Sequence, residues 1–275
     1  MGITLASTWN PRGELARFRK SLAELRETYA GIRIVLPPEA LIEPQVIETI
    51  QALGFELQSG PQGASPDAQP ELLAASTTEW GWGRYQALQL ALEIPATHIQ
   101  YADFDRLLRW VETRPAEWRA AVAAVQACDC LIIERSEAAY CTHPQALIQT
   151  EAISNRVVSY LVGKSMDFSA GSKGFSRRAA EFLIANCRPG RALGTDGEWP
   201  VLLHRAGFAI ESMNADGLDW ESADRYRDQA ADVHSQRSAA EAYDADPANW
   251  ERRVQVALEI VQAAQDANER TVKRI

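Results

Sequence analysis

The stretch Thr97-His98-Ile99-Gln100-Tyr101-Ala102, followed at once by Asp103-Phe104-Asp105, decides how this chain is read. It has the form of a short strand whose end carries two carboxylates, two residues apart. Such a pair at a strand end can approach a hard cation together, and a cation is the most direct means for an acidic protein to hold a diphosphate. The competing reading makes the aspartates caps of a following helix over Arg106 to Glu112. Placement after a strand favours the first.

Upstream, the same alternation repeats. Ile3 to Thr8 reads as a strand, and from Gly13 onward Leu15, Phe18, Leu22, Leu25 and Tyr29 recur at helical spacing. Gly31 to Leu36 is a second strand stopped by Pro37-Pro38, Pro44 to Leu53 a helix ended by Gly54, and Phe55 to Gln58 a third strand. Ser59 to Pro70 is rich in Gly, Pro, Ser and Gln and reads as a surface loop; Gly83 to Leu92 restores a helix before the fourth strand, Thr97 to Ala102. The expected fold is α/β, a mostly parallel central sheet flanked by helices, with ligands at the carboxyl ends of the strands.

Downstream, the pattern gives a helix over Pro115 to Gln126, a strand from Cys130 to Glu134 and a long helix from Pro144 to Leu161. Then come a loop from Asp167 to Gly174, a helix from Arg177 to Ala185, a Gly-rich turn, a helix from Glu198 to Arg205 and a strand over Phe208 to Glu211. The polar, Asp-rich stretch Ser222 to Asp246 precedes an amphipathic helix from Trp250 to Ala267. One domain is expected, with a nucleotide-binding half over 1–105, an acceptor half over 106–221 and a C-terminal loop and helix over 222–275.

The 275 residues, 46% hydrophobic and 24% charged, suffice for a core of enzyme size. A net charge of −9 argues against a nucleic-acid partner, because neutralising phosphates needs clustered Lys and Arg, which here are scattered among acids. No apolar run approaches the roughly 18 residues of a spanning helix, and Met1-Gly2-Ile3-Thr4-Leu5 enters a strand directly, so the expectation is a cytoplasmic protein with no integral membrane segment. Cys128, Cys130, Cys141 and Cys187 lack metal-site spacing and are expected as buried free thiols.

Four further features could carry chemistry. In Trp80-Gly81-Trp82-Gly83-Arg84 the glycines admit close approach of a ligand and Arg84 could meet a phosphate on a first helical turn; otherwise the tryptophans are core or lid residues and Arg84 is solvated. Thr8-Trp9-Asn10-Pro11-Arg12 follows the first strand, where a base or ribose is commonly held. Asp196 and Glu198, in Gly194-Thr195-Asp196-Gly197-Glu198-Trp199-Pro200, sit at a turn into a helix, suited to capping or to a general base. The small residues of Asp167 to Ser176 suit a cleft-lining loop in which Lys173 could meet an anion. His234, in Asp232-Val233-His234-Ser235, is a candidate third metal ligand or a surface histidine, His204 a structural residue in an apolar helix, and His143 a helix cap. No G-x-S-x-G, H-E-x-x-H, P-loop or G-x-G-x-x-G motif is present.

In this order the parts resemble the glycosyltransferases of the GT-A fold, in a divergent, family 2-like form: a nucleotide-binding half over Ile3 to Ala102, the D-x-D at Asp103-Phe104-Asp105, a Gly-containing acceptor loop at Ala170 to Gly174 and an acidic turn at Thr195 to Glu198. The resemblance implies a nucleoside-diphosphate-sugar donor and a hydroxyl acceptor. It implies Mn²⁺ or Mg²⁺ bridging the phosphates through Asp105, Asp103 on the ribose or the metal, and Asp196 or Glu198 as base if the enzyme inverts. Thr8, Asn10, Arg12, Arg84, Asp103 and Lys173 would contact the donor, and Asp103, Asp105 and His234 the metal. The chain departs from the pattern where its first strand ends without an acid and its third in Gln58-Ser59-Gly60 instead of Asp. The same Asp pair could serve a nucleotidyltransferase, and a module that binds nucleotide or sugar without chemistry would keep the fold.

Overall fold

A computed structural model describes residues 2–38, 41–59, 72–76, 82–188 and 193–272. In chain order the elements are β1 (Ile3–Thr8), α1 (Leu15–Thr28), β2 (Gly31–Leu36), α2 (Pro44–Ala52), β3 (Glu56–Ser59), β4 (Leu72–Ser76), α3 (Gly83–Ala91), β5 (His98–Asp103), α4 (Phe104–Thr113) and α5 (Pro115–Val125). There follow β6 (Cys130–Arg135), α6 (Glu137–Tyr140), α7 (Gln145–Val162), β7 (Ser172–Ser176), α8 (Arg177–Asn186), α9 (Thr195–Ala206), β8 (Ile210–Ala215), α10 (Val233–Asp244) and α11 (Pro247–Glu269). The expected loop at 60–70, the Trp80-Gly81 pair and most of the turn before Thr195 lie outside the described residues. Among the described residues no helix is long and apolar enough to cross a membrane.

The strands form one eight-stranded sheet in the order β3-β4-β2-β1-β5-β7-β6-β8. All pairings are parallel except those of β7, which runs antiparallel to both β5 and β6. The expected mostly parallel α/β architecture is what the chain adopts.

The strands bury both faces, as a sheet covered on two sides must. Leu5, Ile32, Ile34, Leu131 and Ile133 face one apolar layer with Phe18, Leu22 and Leu25 of α1, Trp110 of α4 and Trp118 of α5. Their strand neighbours Ala6, Val35, Ile99, Tyr101 and Ile132 face the other, with Leu88 of α3, Val158 of α7, Leu183 of α8, Trp199 of α9 and Ile260 of α11. Alternation at period two therefore feeds two cores, one on each side.

Two sequence expectations are corrected by the sheet. Leu72–Ser76, not expected as a strand, is β4 and separates β3 from β2. Ser172, Lys173 and Gly174 belong to β7, not to a loop. The small residue there has a packing reason: a Cβ on Gly174 would lie 2.5 Å from a methyl of Val125, so α5 seats directly on the strand. A further correction concerns Asp196 and Glu198, which lie buried inside the first turn of α9 rather than in a turn before it.

The remaining singled-out residues also find their places. All four cysteines are free, as expected, but only Cys130 is buried; Cys128 and Cys187 are partly exposed and Cys141 is exposed. His204 is an exposed residue of α9, not a structural one, and the cap of α7 is Pro144, with His143 buried behind it.

Candidate functional site

The sheet changes direction between β1 and β5. From β1 the chain proceeds outward through β2 and β4 to β3, whereas β5 leads to β7, β6 and β8 on the other side. A crevice at the carboxyl ends of such divergent strands is where open α/β sheets bind ligands. Register places Thr8, the last residue of β1, directly opposite Asp103, the last of β5.

Asp103 is the hub. Its Oδ1 accepts the Tyr101 hydroxyl at 2.6 Å, and Arg84 Nη2 donates to Oδ1 at 3.2 Å and to Oδ2 at 3.0 Å. With its proton committed to Asp103, Tyr101 accepts from the Thr8 hydroxyl, 2.7 Å away. The Arg84 guanidinium also lies over the Tyr101 ring, 5.3 Å from its centre. Asp103 occupies the N-cap position of α4 but makes no side-chain capping bond, because its oxygens are spent on these partners. The helix-cap reading thus describes its backbone only.

Behind Asp103 lies a second carboxylate. Arg84 Nη1 pairs with Asp196 Oδ1 at 2.8 Å, and Lys173 Nζ meets the same oxygen at 2.6 Å. Two cations, Arg84 and Lys173, therefore balance two carboxylates, Asp103 and Asp196, brought together from α3, β7, β5 and α9. Burial opposes the Arg84 charge, but Asp103 and then Asp196 more than offset it and hold the guanidinium well above its ordinary pKa. Burial likewise opposes ionisation of Asp196, and Arg84 and Lys173 overcome it, leaving the carboxyl below its usual value. Such an acid is a weak proton acceptor. Burial, augmented by Asp103, pushes Tyr101 well above the ordinary phenol range.

The loop before β7 closes over this hub. The Gly171 carbonyl accepts from the Asp103 amide at 3.1 Å; Gly171 is at φ +76°, and a Cβ there would come within 2.6 Å of Asp103 Oδ2. Arg106 ties the other side, its Nη1 donating to the Ala170 carbonyl and its Nε bonding Glu221 at 3.0 Å.

Asp105 stands apart from the ion-paired hub. Its Oδ1 accepts from the Arg106 amide at 2.9 Å within the first turn of α4. Burial, then the charges of Glu221 and Asp103, raise its pKa from 3.8 to about 7. Asp105 is thus a half-buried acid with two further carboxylates, Glu221 and Asp103, near it. His234 does not join it: it is exposed in the first turn of α10, and among the described residues no three His, Cys, Asp or Glu side chains are arranged to hold a metal ion. Of the expected metal ligands there remain Asp105 and Asp103, the latter already engaged by Tyr101 and Arg84.

Beside the end of β1 opens a cavity of about 360 Å³, lined by Asn10, Arg12, Gly13, Ile42, Val46 and Tyr226 among others. At one wall the Arg12 amide donates to Glu14 Oε2 at 2.6 Å.

The structure therefore gathers Thr8, Arg84, Asp103, Lys173 and Asp196 at one point, with Asp105 two residues on in the first turn of α4 and Asn10 and Arg12 lining the cavity beyond β1. Glu198 is held elsewhere, in a 2.6 Å ion pair with Arg270 and accepting the Arg188 amide. Gly171 was named only within the expected acceptor loop, and sequence reasoning missed Tyr101, Glu221 and Tyr226. Of these only Tyr101 had a signal: a tyrosine two residues before the aspartate, on the same face of the strand. No family model matches the chain, and no curated protein matches it.

Proposed function

We propose that the chain is a nucleotide-sugar glycosyltransferase with a GT-A-like fold, moving a sugar from a nucleoside-diphosphate donor to a hydroxyl acceptor. The observation that carries this reading is the meeting of Thr8 and Asp103 at the divergence of β1 and β5, next to a cavity lined by Asn10 and Arg12. The cavity, of about 360 Å³, mixes apolar side chains such as Ile42 and Val46 with the polar Asn10, Arg12, Glu43 and Gln45. On this reading a nucleoside in that cavity would direct its diphosphate towards the carboxylates.

Asp105, with Asp103, would hold Mn²⁺ or Mg²⁺. When bound, that ion neutralises charge on the departing diphosphate. Arg12, at the cavity wall, supplies a positive charge on the phosphate side, an interaction that strengthens as charge develops. Asp196 acts by position: it fixes Arg84 and Lys173, and through Arg84 it fixes Asp103. Its lowered pKa and two cations suit that work better than proton abstraction, and Glu198 is committed to Arg270.

The test is a thermal-shift and calorimetric titration of UDP-, GDP- and ADP-sugars, with and without Mn²⁺, on the wild type and on Asp105→Ala. A ligand at 100 times its dissociation constant adds about 2.7 kcal/mol of apparent stability. Metal-dependent stabilisation by one nucleotide class, lost in Asp105→Ala, is the expected result. Absence of binding by every nucleotide sugar refutes the reading, and release of pyrophosphate from a nucleoside triphosphate would reassign the site to nucleotidyl transfer.

A further inference from the structure

Among the described residues one residue other than glycine has a positive φ: Tyr226, at +59°. A left-handed tyrosine costs backbone energy that a glycine would not, and such conformers persist where the surroundings over-determine them. The surroundings here do. The Tyr226 amide donates to the Arg12 carbonyl at 2.7 Å, and a Cβ on Gly13 would lie 2.8 Å from Tyr226 Cα and 2.9 Å from ring atom Cδ1. Gly13, itself at φ +89°, is the only type of residue that admits the tyrosine so closely.

The segment that carries Tyr226 is pinned just before and after it. Asp224 is buried between Arg17, 3.0 Å away, and Arg109, 2.8 Å away, and accepts the Ala231 amide at 2.7 Å. Asp219 holds Arg109 from the other side at 2.7 Å. These contacts fix the backbone, yet the tyrosine side chain gains little cover from them: the residue remains 79% exposed while lining the cavity beside Asn10 and Arg12. A strained backbone, anchored by buried ion pairs, thus presents an aromatic ring to solvent at the rim of a pocket. Packing in the free protein does not explain the ring.

Resting on the function proposed above, we infer that Tyr226 is the stacking face for the planar nucleobase of the donor. The cavity beside the ring mixes apolar and polar walls. Its walls carry Pro11, Leu15, Ile42 and Val46, apolar surface for the faces and edges of a ring, together with the Asn10 and Gln45 amides, which can pair with base-edge donors and acceptors. The role assigns the C-terminal segment to the donor site, although its anchors lie on α1 and α4.

The experiment is calorimetric binding of UDP, GDP and ADP, with inorganic pyrophosphate and ribose 5-phosphate as probes lacking a base, to wild type, Tyr226→Phe, Tyr226→Ala and Tyr226→Gly. For the nucleotide that binds wild type best, Tyr226→Phe keeps its affinity, and Tyr226→Ala and Tyr226→Gly each weaken it about ten-fold or more, the scale of lost base–aromatic stacking. Tyr226→Gly also melts at or above the wild-type temperature, because it relieves the left-handed strain, which separates loss of the ring from loss of fold. Wild-type affinity in all three variants overturns the stacking role and leaves the glycosyltransferase reading standing. Equal weakening of pyrophosphate or ribose 5-phosphate by Tyr226→Ala overturns it in favour of a phosphate or sugar contact. If wild type binds no nucleotide, both readings fall together.

Discussion

Replacing Arg84 by methionine removes one cation from between two carboxylates, and the outcome depends on which of them then loses its partner. Removing one member of a buried ion pair costs about 3–5 kcal/mol, most of it the uncompensated charge left behind. Asp196, with only 4% of its side chain exposed, retains Lys173 at 2.6 Å. Asp103 retains the Tyr101 hydroxyl, and its side chain is 24% exposed, so water takes up part of the loss. Arg84→Met is therefore expected at the low end, about 3 kcal/mol. A second substitution separates the two carboxylates. Arg84→Met with Asp103→Asn leaves Lys173 and Asp196 as a neutral pair, and should recover about 1–2 kcal/mol relative to the sum of the single costs, as coupled neighbours do. Arg84→Met with Asp196→Asn also removes a contacting pair but leaves Asp103 and Lys173 each without an ion-pair partner, and should recover less. Urea unfolding at pH 7 on the single and double variants measures this directly. If both doubles are additive to within about 0.5 kcal/mol, the four charges do not act as one balanced unit and the account of the hub fails.

Two further predictions concern the same region. Gly171→Ala incurs the left-handed penalty of about 1–2 kcal/mol and drives a methyl against Asp103 Oδ2, for a total of about 2–4 kcal/mol. Gly207→Ala, at φ +91° with nothing within 4 Å, incurs the penalty alone, so equal melting temperatures for the two variants would disprove the close contact. Asp105 holds a proton in the folded state up to pH about 7, whereas the unfolded chain loses it near 3.8, so folding binds a proton between those values and stability falls as pH rises through them. The loss amounts to at most about 4 kcal/mol by pH 8. In Asp105→Asn this component is absent, and the variant should gain on wild type steadily from pH 4.5 to 8 in urea titrations; parallel curves would show that Asp105 titrates normally.

Much of the architecture was legible in the chain because its strands are short apolar runs with clear stops. Ile3 to Thr8, Gly31 to Leu36 and Thr97 to Asp103 each read directly, and with them the position of Asp103 at a strand end. Ser172–Ser176 did not, because a buried strand containing Lys, Gly and two Ser has no hydrophobic pattern; it is stable there because Lys173 finds Asp196 and Gly174 makes room for Val125. The site was half legible for a related reason. That Asp103 and Asp196 carry charge was plain, but the partners that neutralise them come from α3 and β7, and pairing across such distances leaves no periodic trace. Arg84 read as solvated or phosphate-binding; it is buried and engaged. Tyr226 was hidden in a polar stretch whose order comes from ion pairs to Arg17 and Arg109, not from any apolar face.

The antiparallel strand β7 has a consequence for how the chain is made. It is the sole bridge between the five strands β3-β4-β2-β1-β5 and the pair β6-β8, matching Ile99 and Cys130 alike through Phe175. A nascent chain that has emerged only as far as β6 therefore displays open hydrogen-bonding edges on β5 and β6, each a template for unwanted pairing with another chain. Neither edge closes until synthesis has passed Ser176, well after both strands exist. The vulnerable interval in biosynthesis is thus the time taken to make α6, α7 and the loop to β7, and chaperones that shield strand edges would be needed most during that interval.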